Sequence, residues 1–579
     1  MMEKFKNFLN SRKDRIVEIV LVALALPLIA TFSVPFEIYA NNLAESNFNL
    51  GDFIGMSILL SFLVFLFIFV VLFVVPKRAF IILKYMAVAF GLLLFIQGLY
   101  LNYKMDSVGG DNLATTAIPV WWVVFDNIIW VGLLGVAAFL GTRKDEKGYI
   151  KLIFTVLSVV IVFTQVVTFI FNSINHPDAY KSRNDREDVE KSMAVSTKNL
   201  TDLGSKENVI YFIIDRFDEK YAEEAYKKNE HVFDKLDGFT WFQDNMSKYG
   251  HTFAGVPTMI TGKTYRAEQR REEFLKKAYD DDIPLKELHD AGYRIDLYTG
   301  SYYSYVDGHL PDYISNYEEG EFSVNNKFGL AFNMTRYALY RCFPYPLKDS
   351  LSYLATSTYN SYSQFESLEG KEKHYDLDNK NLWDTIGSKE FTNDKDEKVF
   401  KYIHFEGCHN SNYDENFEKN TTKEMYGTVV NSFKIIGKYI DYLKEIGAYD
   451  NSTIIITGDH GTPKSDLKDI DEPVLTALFA KTKNQTGDLV INTESYTCQD
   501  NSWPTIMKSI NLTTSNWYNG NSYFDDTLKS PTTIRTYIWH TYMSMTLDEC
   551  IWDITGSAKN FANWVERKPT DHYERHLMD

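Results

Sequence analysis

Hydrophobic residues are concentrated in the first part of the chain, where five long apolar segments follow one another. Each is roughly 20 to 25 residues long, the length that crosses a bilayer as an α-helix. The first is too long for a cleaved signal peptide, and four more follow it, so the pattern predicts a transmembrane domain over residues 1–174. The segments are Val17–Tyr39, Phe53–Val75, Phe80–Leu101, Ile118–Leu140 and Tyr149–Phe171.

The charges in the connecting loops predict how these segments are oriented. Basic residues lie before the first segment, at 77–78 and in the loop 142–147, whereas the loops 41–52 and 102–117 contain one lysine between them. The positive-inside rule then places the N-terminus and both basic loops in the cytoplasm. Five crossings put the remainder of the chain on the outer side of a cell membrane.

Asp126 lies inside the fourth apolar segment, close to Trp121, Trp122 and Trp130. A carboxylate within a membrane span is a candidate functional residue. Tryptophan is typical of the membrane–water interface, however, and this part of the segment lies near the outer surface. We therefore interpret Asp126 as a hydrated structural residue, with a functional role as the alternative.

After a polar stretch at 175–207, interpreted as a juxtamembrane linker, short apolar strands alternate with amphipathic helices. This alternation predicts an extracytoplasmic α/β domain over residues 208–579, with a mostly parallel central sheet sandwiched by helices. Ligands are expected beyond the carboxyl ends of its strands. The predicted strands are Val209–Ile214, Tyr293–Tyr298, Phe400–Phe405, a run from Ser452 and Glu472–Ala480, and the predicted helices are Asp218–Leu236, Pro284–Ala291, Lys423–Ile446 and Trp503–Ile510.

The composition narrows the classes of partner. The formal net charge is -17 although the membrane loops are basic, so the outer domain is acidic. Nucleic acid is therefore not expected as a partner, because phosphate backbones require a basic surface. The four cysteines all follow the apolar region. They permit two disulfides in an exported domain, and four free buried thiols are the alternative.

The segment Ser452–Gly461 contains the clearest candidate chemistry. Its first half is a run of β-branched residues, which predicts a fully buried strand. Gly458 ends that strand, and Asp459 and His460 follow directly. At a strand end the backbone is free to turn both side chains towards one point. An oxygen and a nitrogen ligand at this position indicate a metal site, and an ordinary turn is the alternative.

Two earlier segments have compatible chemistry. The predicted strand Val209–Ile214 is followed at once by Asp215, a second carboxylate at a strand end. The loop Tyr249–Gly262 contains a hydroxyl at Thr252, several small residues and Pro257, which suits the start of a helix. Free N–H groups at a helix N-terminus favour a bound phosphate. A turn leading into a surface helix is the alternative for this loop.

Asp215, the Thr252 loop, Cys408-His409-Asn410 and Asp459-His460 occur in the order seen in the alkaline phosphatase/sulfatase superfamily, which the chain resembles. Five spans before an outer domain are similar to its membrane-bound branch, the lipoteichoic acid synthase-like phosphoglycerol transferases and the lipid A phosphoethanolamine transferases. The resemblance implies one divalent metal ion held by Asp215, Thr252, Asp459 and His460. It also implies that Thr252 is the nucleophile and that His409 contacts the transferred phosphoryl group.

The implied ligand set indicates which metals suit the site. A threonine hydroxyl is a weak nucleophile that must be activated, and coordination to a divalent ion lowers its pKa. Two carboxylates, an alkoxide and an imidazole suit Mn²⁺ or Zn²⁺ better than Mg²⁺. The resemblance to the phosphoglycerol transferases favours Mn²⁺, with Zn²⁺ or Mg²⁺ as alternatives.

The chain departs from its relatives at informative positions. The membrane-bound transferases usually have glutamate at the first ligand position, where this chain has the shorter Asp215. Standard sulfatases carry Cys or Ser in the pattern C/S-x-P-x-R. Alignment on Pro257 puts Gly255 at that nucleophile position and Met259 at the arginine, which argues against a standard sulfatase.

Three further residues near the expected site are open to interpretation. Thr258 follows Pro257 and is a rival nucleophile, although the family spacing favours Thr252. His251 and His404 are close to the site in sequence, and both are interpreted as structural. The ring-rich loop Ser301–His309 has the composition to stack on a sugar, and surface packing is the favoured interpretation.

The predicted activity is metal-dependent transfer of phosphoglycerol from a membrane phospholipid, phosphatidylglycerol, to a cell-surface glycopolymer or glycolipid through a phosphothreonine intermediate. The expected partners are thus the lipid bilayer, the phospholipid donor and a glycan or glycolipid acceptor. The alternatives are phosphoethanolamine transfer, hydrolysis of a phosphate or sulfate ester, and a non-catalytic receptor that binds the polymer.

Overall fold

The computed structural model of the 579-residue chain divides into two compact units. The first comprises Met1–Glu190 and Phe322–Phe365, and the second comprises Lys191–Glu321 and Glu366–Asp579. The residues that the structure describes are 12–43, 46, 48–102, 119–143, 148–186, 193–280, 282–306, 308–348, 351, 363–367, 372–393, 396–410, 412–422, 424–462, 472–540, 547–567 and 571–573.

The described residues contain fourteen α-helical segments and sixteen strands, numbered in chain order. The helices are α1 Lys13–Asn41, α2 Leu50–Val74, α3 Lys77–Leu101, α4 Val120–Thr142, α5 Gly148–Asn175, α6 Glu219–Lys228, α7 Thr252–Thr261, α8 Arg271–Ala278, α9 Pro284–Asp290, α10 Ser301–Ser304, α11 Lys327–Cys342, α12 Asn379–Ser388, α13 Tyr426–Glu445 and α14 Ser502–Ser509. The strands are β1 Met193–Val195, β2 Glu207–Ile214, β3 Thr240–Phe242, β4 Asn245–Met246, β5 Tyr293–Tyr298, β6 Tyr317–Val324, β7 Ser363–Ser367, β8 Lys398–Phe405, β9 Ser452–Thr457, β10 Leu478–Lys481, β11 Val490–Asn492, β12 Thr497–Cys498, β13 Ile534–His540, β14 Leu547–Thr555, β15 Trp564–Glu566 and β16 Asp571–Tyr573.

The first unit contains the five predicted apolar helices, α1–α5, each long and apolar enough to cross a membrane. α1 is the most buried of them and α2 the most exposed. At one end of the unit Glu18 of α1 pairs with Lys84 of α3 and Lys151 of α5, at 2.8 and 2.7 Å. Opposite charges among apolar helices must be paired, because lone charges there are expensive.

The first unit also contains α11, which the sequence pattern did not predict. α11 packs against α1, α2 and α3, so the units do not follow the linear division at 174 and 207. Its apolar and polar residues are mixed, and it has none of the long hydrophobic run that marks a span. Asp126 lies close by: it is fully buried, and its Oδ2 accepts a hydrogen bond from Tyr345 N at 3.0 Å. Asp126 is therefore buried rather than hydrated, and its structural role remains an interpretation.

The second unit is built on a seven-stranded sheet with the order β11-β3-β10-β9-β2-β8-β5. β10 is antiparallel to both of its neighbours, and the other pairs of neighbours in this sheet are parallel. Every residue of β2 and β9 is buried, which requires cover on both faces of the sheet. The prediction of a mostly parallel sheet between helices is confirmed.

Several predicted boundaries shift, for local reasons. The helix predicted at Asp218–Leu236 ends at Lys228, because Asn229 turns extended and its side chain accepts from His231 N. The strand predicted at Glu472–Ala480 is confined to β10, since Thr476 and Ala477 bond to Asn245 and Phe217 outside the ladder. All four cysteines are free thiols, and three of them are buried.

Three smaller sheets complete the described strands. β1, β6 and β7 form one sheet, β4 and β12 pair as another, and β14 pairs with β13, β15 and β16. The last of these is the C-terminal sheet, for which the sequence analysis gave no function. Its strand β13 bridges to Tyr249, just before the helix that carries Thr252.

Candidate active site

Two carboxylates meet where β2 and β9 end. These strands are parallel neighbours, with Ile213 opposite Thr457, so Asp215 and Asp459 leave the sheet at the same edge. Asp459 Oδ1 accepts hydrogen bonds from the backbone N–H groups of Arg216 and His460, both at 2.9 Å. Asp459 Oδ2 and Asp215 Oδ1 are buried and have no hydrogen-bond partner. The open oxygen of each carboxylate is thus available to a third group.

His460 lies beside both carboxylates. Its Nδ1 is 2.8 Å from the carbonyl oxygen of Gly461, and since a carbonyl can only accept, Nδ1 carries the proton. Nε2 therefore presents its lone pair, 3.6 Å from Asp215 Oδ1 and 3.8 Å from Asp459 Oδ2. A histidine that is fixed through its other nitrogen in this way is typical of a metal ligand.

His404 joins the same cluster, which differs from the structural role expected for it from the sequence. Ligand atoms of Asp215, His404 and Asp459 all lie within 4.8 Å of one another. His404 Nε2 is 3.6 Å from Asp215 Oδ2 and has no hydrogen-bond partner. Its Nδ1 contacts Thr299 Oγ1 at 3.2 Å, and Thr299 contacts Ser304 Oγ at 2.7 Å. The sequence feature that could have pointed to His404 is its position as a polar residue one before the end of a buried apolar strand, β8.

The cluster fits a divalent cation. Asp215, Asp459 and His404 each aim an unpartnered buried atom inward, and buried carboxylates require a counter-charge. Among the described residues neither carboxylate is within ion-pair distance of a lysine or arginine. Burial raises the pKa of Asp215, but His404, His409 and His460 outweigh it and hold that pKa below its ordinary value. Oxygen and imidazole donors together suit Mn²⁺ or Zn²⁺.

Thr252 is the first residue of α7 and is 9% exposed. Pro257 was expected at the start of this helix, but α7 begins five residues earlier and Pro257 lies inside it. The first turn therefore presents its free N–H groups beside Thr252, where they would face an anion. Thr258 lies in the second half of α7 and is buried.

Gly255 brings the first turn of α7 against Asp459. A Cβ at this position would lie 3.1 Å from the carbonyl oxygen of Asp459, tighter than ordinary contact. The backbone N–H of Gly255 donates to His251 O at 3.0 Å, which closes the first turn. Gly255 is thus a packing position through which the first turn of α7 lies against Asp459, and a side chain there would press on the Asp459 backbone.

The C-terminal sheet supports the turn that precedes Thr252. A Cβ on Gly250 would lie 2.3 Å from the buried ring of Trp539, so only glycine fits there. His251 Nε2 is 3.0 Å from the carbonyl oxygen of His540, and the ring lies 6.2 Å from that of His460. Burial and the neighbouring His460 and His540 lower the pKa of His251 to about 3. His251 is therefore neutral and holds α7 in place, as interpreted.

His409 lies in the exposed turn after β8, outside the group of converging ligand atoms. Its Nδ1 is 3.0 Å from Asn410 Nδ2, and its N–H donates to Glu406 O at 2.9 Å. His409 is among the groups that lower the pKa of Asp215, and it is exposed. This position suits a residue that meets a substrate arriving from solvent.

Arg216 has a left-handed backbone, with φ of 56°. Of the non-glycine residues with positive φ in the described chain, most are Asn or Asp, which tolerate this region. An arginine there costs about 1 kcal/mol or more. The conformation turns its N–H towards Asp459 Oδ1, and its Nε donates to Thr462 Oγ1 at 3.1 Å. Local strain thus helps to orient the metal-facing carboxylate.

Part of the ring-rich loop lines a separate open cavity. α10 occupies Ser301–Ser304, and the following Gly308 and His309 line a cavity of about 530 Å³ together with Tyr279 and Tyr313. Tyr279 donates to Ser304 O at 2.7 Å, and Ser304 in turn contacts Thr299 beside His404. The cavity is therefore linked to the cluster through Ser304.

Residues 207–473 match a family model described as Sulfatase. The chain contains a sulfatase domain. The match begins at β2 and extends past Asp459 and His460, so it includes every residue of the carboxylate cluster. The sulfatase domain makes the chain an enzyme of the hydrolase or transferase type, in a superfamily whose members use a metal ion. Gly255 and Met259 stand where standard sulfatases carry Cys or Ser and Arg, and this difference in the nucleophile is compatible with the same fold.

No curated protein matches the sequence. Among solved structures, a sulfatase from Pseudoalteromonas sp. matches with 14% identity over 64% of this chain and 84% of that chain, with a TM-score of 0.38. A phosphonate monoester hydrolase from Silicibacter pomeroyi matches with 14% identity over 64% and 89%, with a TM-score of 0.34. A protein of the alkaline phosphatase superfamily from Vibrio parahaemolyticus matches with 10% identity over 66% and 85%, with a TM-score of 0.34.

Proposed function

We propose that this sulfatase domain transfers phosphoglycerol from a membrane phospholipid to a cell-surface glycopolymer or glycolipid, with Thr252 as the nucleophile. The observation that carries the proposal is the position of Thr252. Its hydroxyl begins α7, and the first turn of α7 packs through Gly255 against Asp459. A threonine at a helix N-terminus beside a cation-binding cluster is suited to attack a phosphorus atom.

The residue at the position of the sulfatase Cys or Ser nucleophile supports a different, phosphoryl-transferring nucleophile. Gly255 occupies it, and even a Cβ would press on the Asp459 backbone. Thr258 is buried in the second half of α7 and lies away from its N-terminal N–H groups. Thr252 is therefore the hydroxyl in α7 that combines a helix N-terminus with proximity to the cluster.

The proposed reaction has two in-line steps. Thr252 Oγ1 bonds to the phosphorus of the lipid headgroup as the bond from phosphorus to the diacylglycerol oxygen breaks. The threonine proton passes to solvent, and the leaving oxygen takes a proton from His409. An acceptor hydroxyl then attacks the phosphothreonine and the bond from phosphorus to Thr252 Oγ1 breaks. His409 recovers a proton from the acceptor hydroxyl, and the departing Thr252 oxygen takes one from solvent, which restores both residues. The free N–H groups of α7 hold the phosphoryl oxygens in both steps.

Asp215, Asp459, His460 and His404 would hold the metal ion, with Thr252 as the further ligand implied by the family resemblance. When bound, a divalent ion lowers the pKa of a coordinated hydroxyl and offsets charge on the phosphoryl oxygens. Mn²⁺ is our proposed ion, with Zn²⁺ or Mg²⁺ as alternatives. Asp459 is oriented for this role by the N–H groups of Arg216 and His460.

The five apolar helices support a lipid donor. We propose that α1–α5 span a cell membrane with the N-terminus in the cytoplasm, so that the sulfatase domain faces outward. Tethering to the bilayer raises the effective concentration of a lipid substrate at the site. Phosphatidylglycerol is the proposed donor. Phosphatidylethanolamine is the second candidate, because the described cluster has no group that distinguishes the two headgroups.

The test is lipid turnover by the full chain reconstituted with Mn²⁺ in vesicles that contain headgroup-labelled phosphatidylglycerol or phosphatidylethanolamine. We expect diacylglycerol release and acid-stable label on the protein with phosphatidylglycerol. Thr252→Ala should abolish both, whereas Thr258→Val, a matched change in the same helix, should retain both. If only phosphatidylethanolamine were turned over, it and not phosphatidylglycerol would be the donor. Full activity of Thr252→Ala would overturn the role of Thr252 as the nucleophile.

A further inference from the structure

The helix α11 lies within the sequence of the sulfatase domain but packs in the unit of apolar helices. Its two faces differ. One face is buried, with Leu330 and Ala331 at 0% and Met334 at 4% exposure. The other exposes Phe328 at 51% and Phe332 at 52%, and residues four apart lie on one face of a helix. Two large exposed aromatic rings side by side indicate that another apolar group covers this face of the helix.

Both ends of α11 are fixed to the same end of the helical unit. Lys327, its first residue, pairs with Asp52 in the first turn of α2 at 3.4 Å. Arg341, near its last residue, pairs with Glu37 near the end of α1 at 2.9 Å. Arg341 O also accepts from Asn102, directly after α3, at 3.0 Å. By the proposed orientation these are the outer ends of the three spans, so α11 lies across them.

The segment after α11 is held in the same way. Tyr345 N donates to the buried Asp126 of α4, and Lys348 Nζ donates to the carbonyl oxygens of Tyr340 and Arg341, at 2.5 and 3.2 Å. Lys348 thereby caps the last turn of α11 with a positive charge. The helix is anchored to four of the five spans, and its exposed face has a fixed direction.

The surroundings of that face indicate its occupant. α2, which packs against α11, exposes large apolar residues along its length, Phe62 at 56% and Phe67 at 69% among them. A soluble protein rarely leaves a patch of this kind in water, whereas a span exposes it to lipid. Phe328 and Phe332 are exposed to a similar degree on a helix that packs against α2, and the basic Lys327 precedes them.

We propose that α11 is embedded in the outer leaflet of the bilayer, with Phe328 and Phe332 against the acyl chains of phospholipids. The inference rests on the membrane orientation proposed above and adds a lipid contact made by residues of the sulfatase domain sequence itself. Amphipathic helices with aromatic residues on one face and basic residues at the rim bind membranes in this way. A protein partner on the same face is the competing occupant.

The experiment places nitroxide labels on the full chain in vesicles of phosphatidylethanolamine and phosphatidylglycerol. Because Cys342, Cys408 and Cys550 are buried, the Cys498→Ser protein is a suitable background for Phe328→Cys and Phe332→Cys. Phe62→Cys on α2 provides the lipid reference and Val565→Cys on β15, which is 61% exposed, provides the water reference. Relaxation by oxygen and by a water-soluble nickel chelate reports the surroundings of each label.

The expected ratio of oxygen to nickel accessibility at positions 328 and 332 matches that at 62 and is severalfold higher than that at 565. A ratio like that at 565 would overturn the proposal by placing the face in water. Low accessibility to both reagents would also overturn it, because a protein partner would then cover the rings. None of these readouts depends on lipid turnover, so a failed transfer assay leaves the test intact.

Discussion

The central sheet contains two buried clusters of acidic side chains on neighbouring strands, and their charges are neutralised differently. Asp296 on β5 lies opposite Lys401 on β8, and the two form an ion pair at 2.8 Å with both side chains 0% exposed. Arg294 adds contacts to Asp296 and Asp202, both at 3.1 Å. Burial raises the pKa of Asp296, but Lys401 and Arg294 outweigh it and hold that pKa below its ordinary value.

The second cluster lies at the carboxyl ends of β2, β8 and β9, so it shares β8 with the first. His404 follows Lys401 by three residues on β8, and Thr299 follows Asp296 by three after β5. Here, among the described residues, the side chains within ion-pair distance of Asp215 and Asp459 are imidazoles, and one oxygen of each carboxylate has no hydrogen-bond partner. A buried carboxylate with an internal cation is a structural element, whereas one without it needs an ion from outside. The Asp215 and Asp459 cluster is therefore the candidate metal site, and the Asp296 cluster is part of the structural core.

The largest expected effect is on the metal-facing cluster. Asp459→Asn keeps an oxygen that accepts from Arg216 N and His460 N but removes the charge. We expect the affinity for Mn²⁺ to fall by more than about 100-fold, measured by calorimetry on the metal-free full chain. Without metal the melting temperature should not fall, since a buried uncompensated charge is lost. Asp202→Asn, in the cluster that is paired with Lys401 and Arg294, should leave Mn²⁺ affinity unchanged. Equal losses of Mn²⁺ affinity in the two variants would contradict the assignment of the metal site to the Asp459 cluster.

Breaking the internally paired cluster should act on stability instead. Lys401→Met leaves Asp296 buried without its closest cation, which costs about 3–5 kcal/mol of unfolding free energy. Denaturant unfolding of the detergent-solubilised chain measures this loss. Lys206→Met serves as the control, because its pair with Asp396 is 53% and 80% exposed and is worth about 1 kcal/mol or less. A Lys401→Met protein of unchanged stability would contradict the assignment.

His404 tests whether the second cluster extends beyond the ligands implied by resemblance. We expect His404→Gln to reduce Mn²⁺ affinity by about 10- to 100-fold, because one converging nitrogen is lost. His409→Gln is the matched variant: it should bind Mn²⁺ normally and lose lipid turnover. If both variants bound the ion like the parent chain, His404 would be a structural residue after all.

The smallest effect is expected at Thr299, which contacts the cluster through His404 Nδ1 at 3.2 Å. Thr299→Val removes the hydroxyl at nearly constant volume and should weaken Mn²⁺ binding by about tenfold or less. Thr299→Ser restores the hydroxyl and should restore the affinity. A similar loss in both variants would indicate a packing role for the threonine methyl group.

The sequence predicted the parts of the site that follow apolar strands directly. Asp215 and Asp459 each come after a run of residues that can only be a buried strand, so their position at the sheet edge followed from the topology. His404 could not be assigned in the same way, because β8 is buried on both faces and alternation does not show where a side chain points. Its partner Thr299 comes from β5, and only the strand order makes them neighbours.

Long-range packing accounts for the remaining differences. The C-terminal sheet supports Thr252 through Gly250 and His251, a contact between segments almost 300 positions apart that no local pattern contains. α11 has too few apolar residues to read as a span, and its place among α1, α2 and α3 depends on charged and polar contacts at its ends. Elements of this kind are fixed by their partners rather than by their own periodicity.

The late position of α11 in the chain constrains how the protein is made. Glu37 and Asp126 emerge from the ribosome with the first spans, but Arg341 and Tyr345 follow only after much of the sulfatase domain sequence. Chains fold from the N-terminus during synthesis, so the newly made helices α1–α5 lack the partners of these acidic groups until α11 and the segment after it have been synthesised. In the membrane orientation that we propose, those partners would also have to be exported first, and a defect in export would leave the helical unit incomplete.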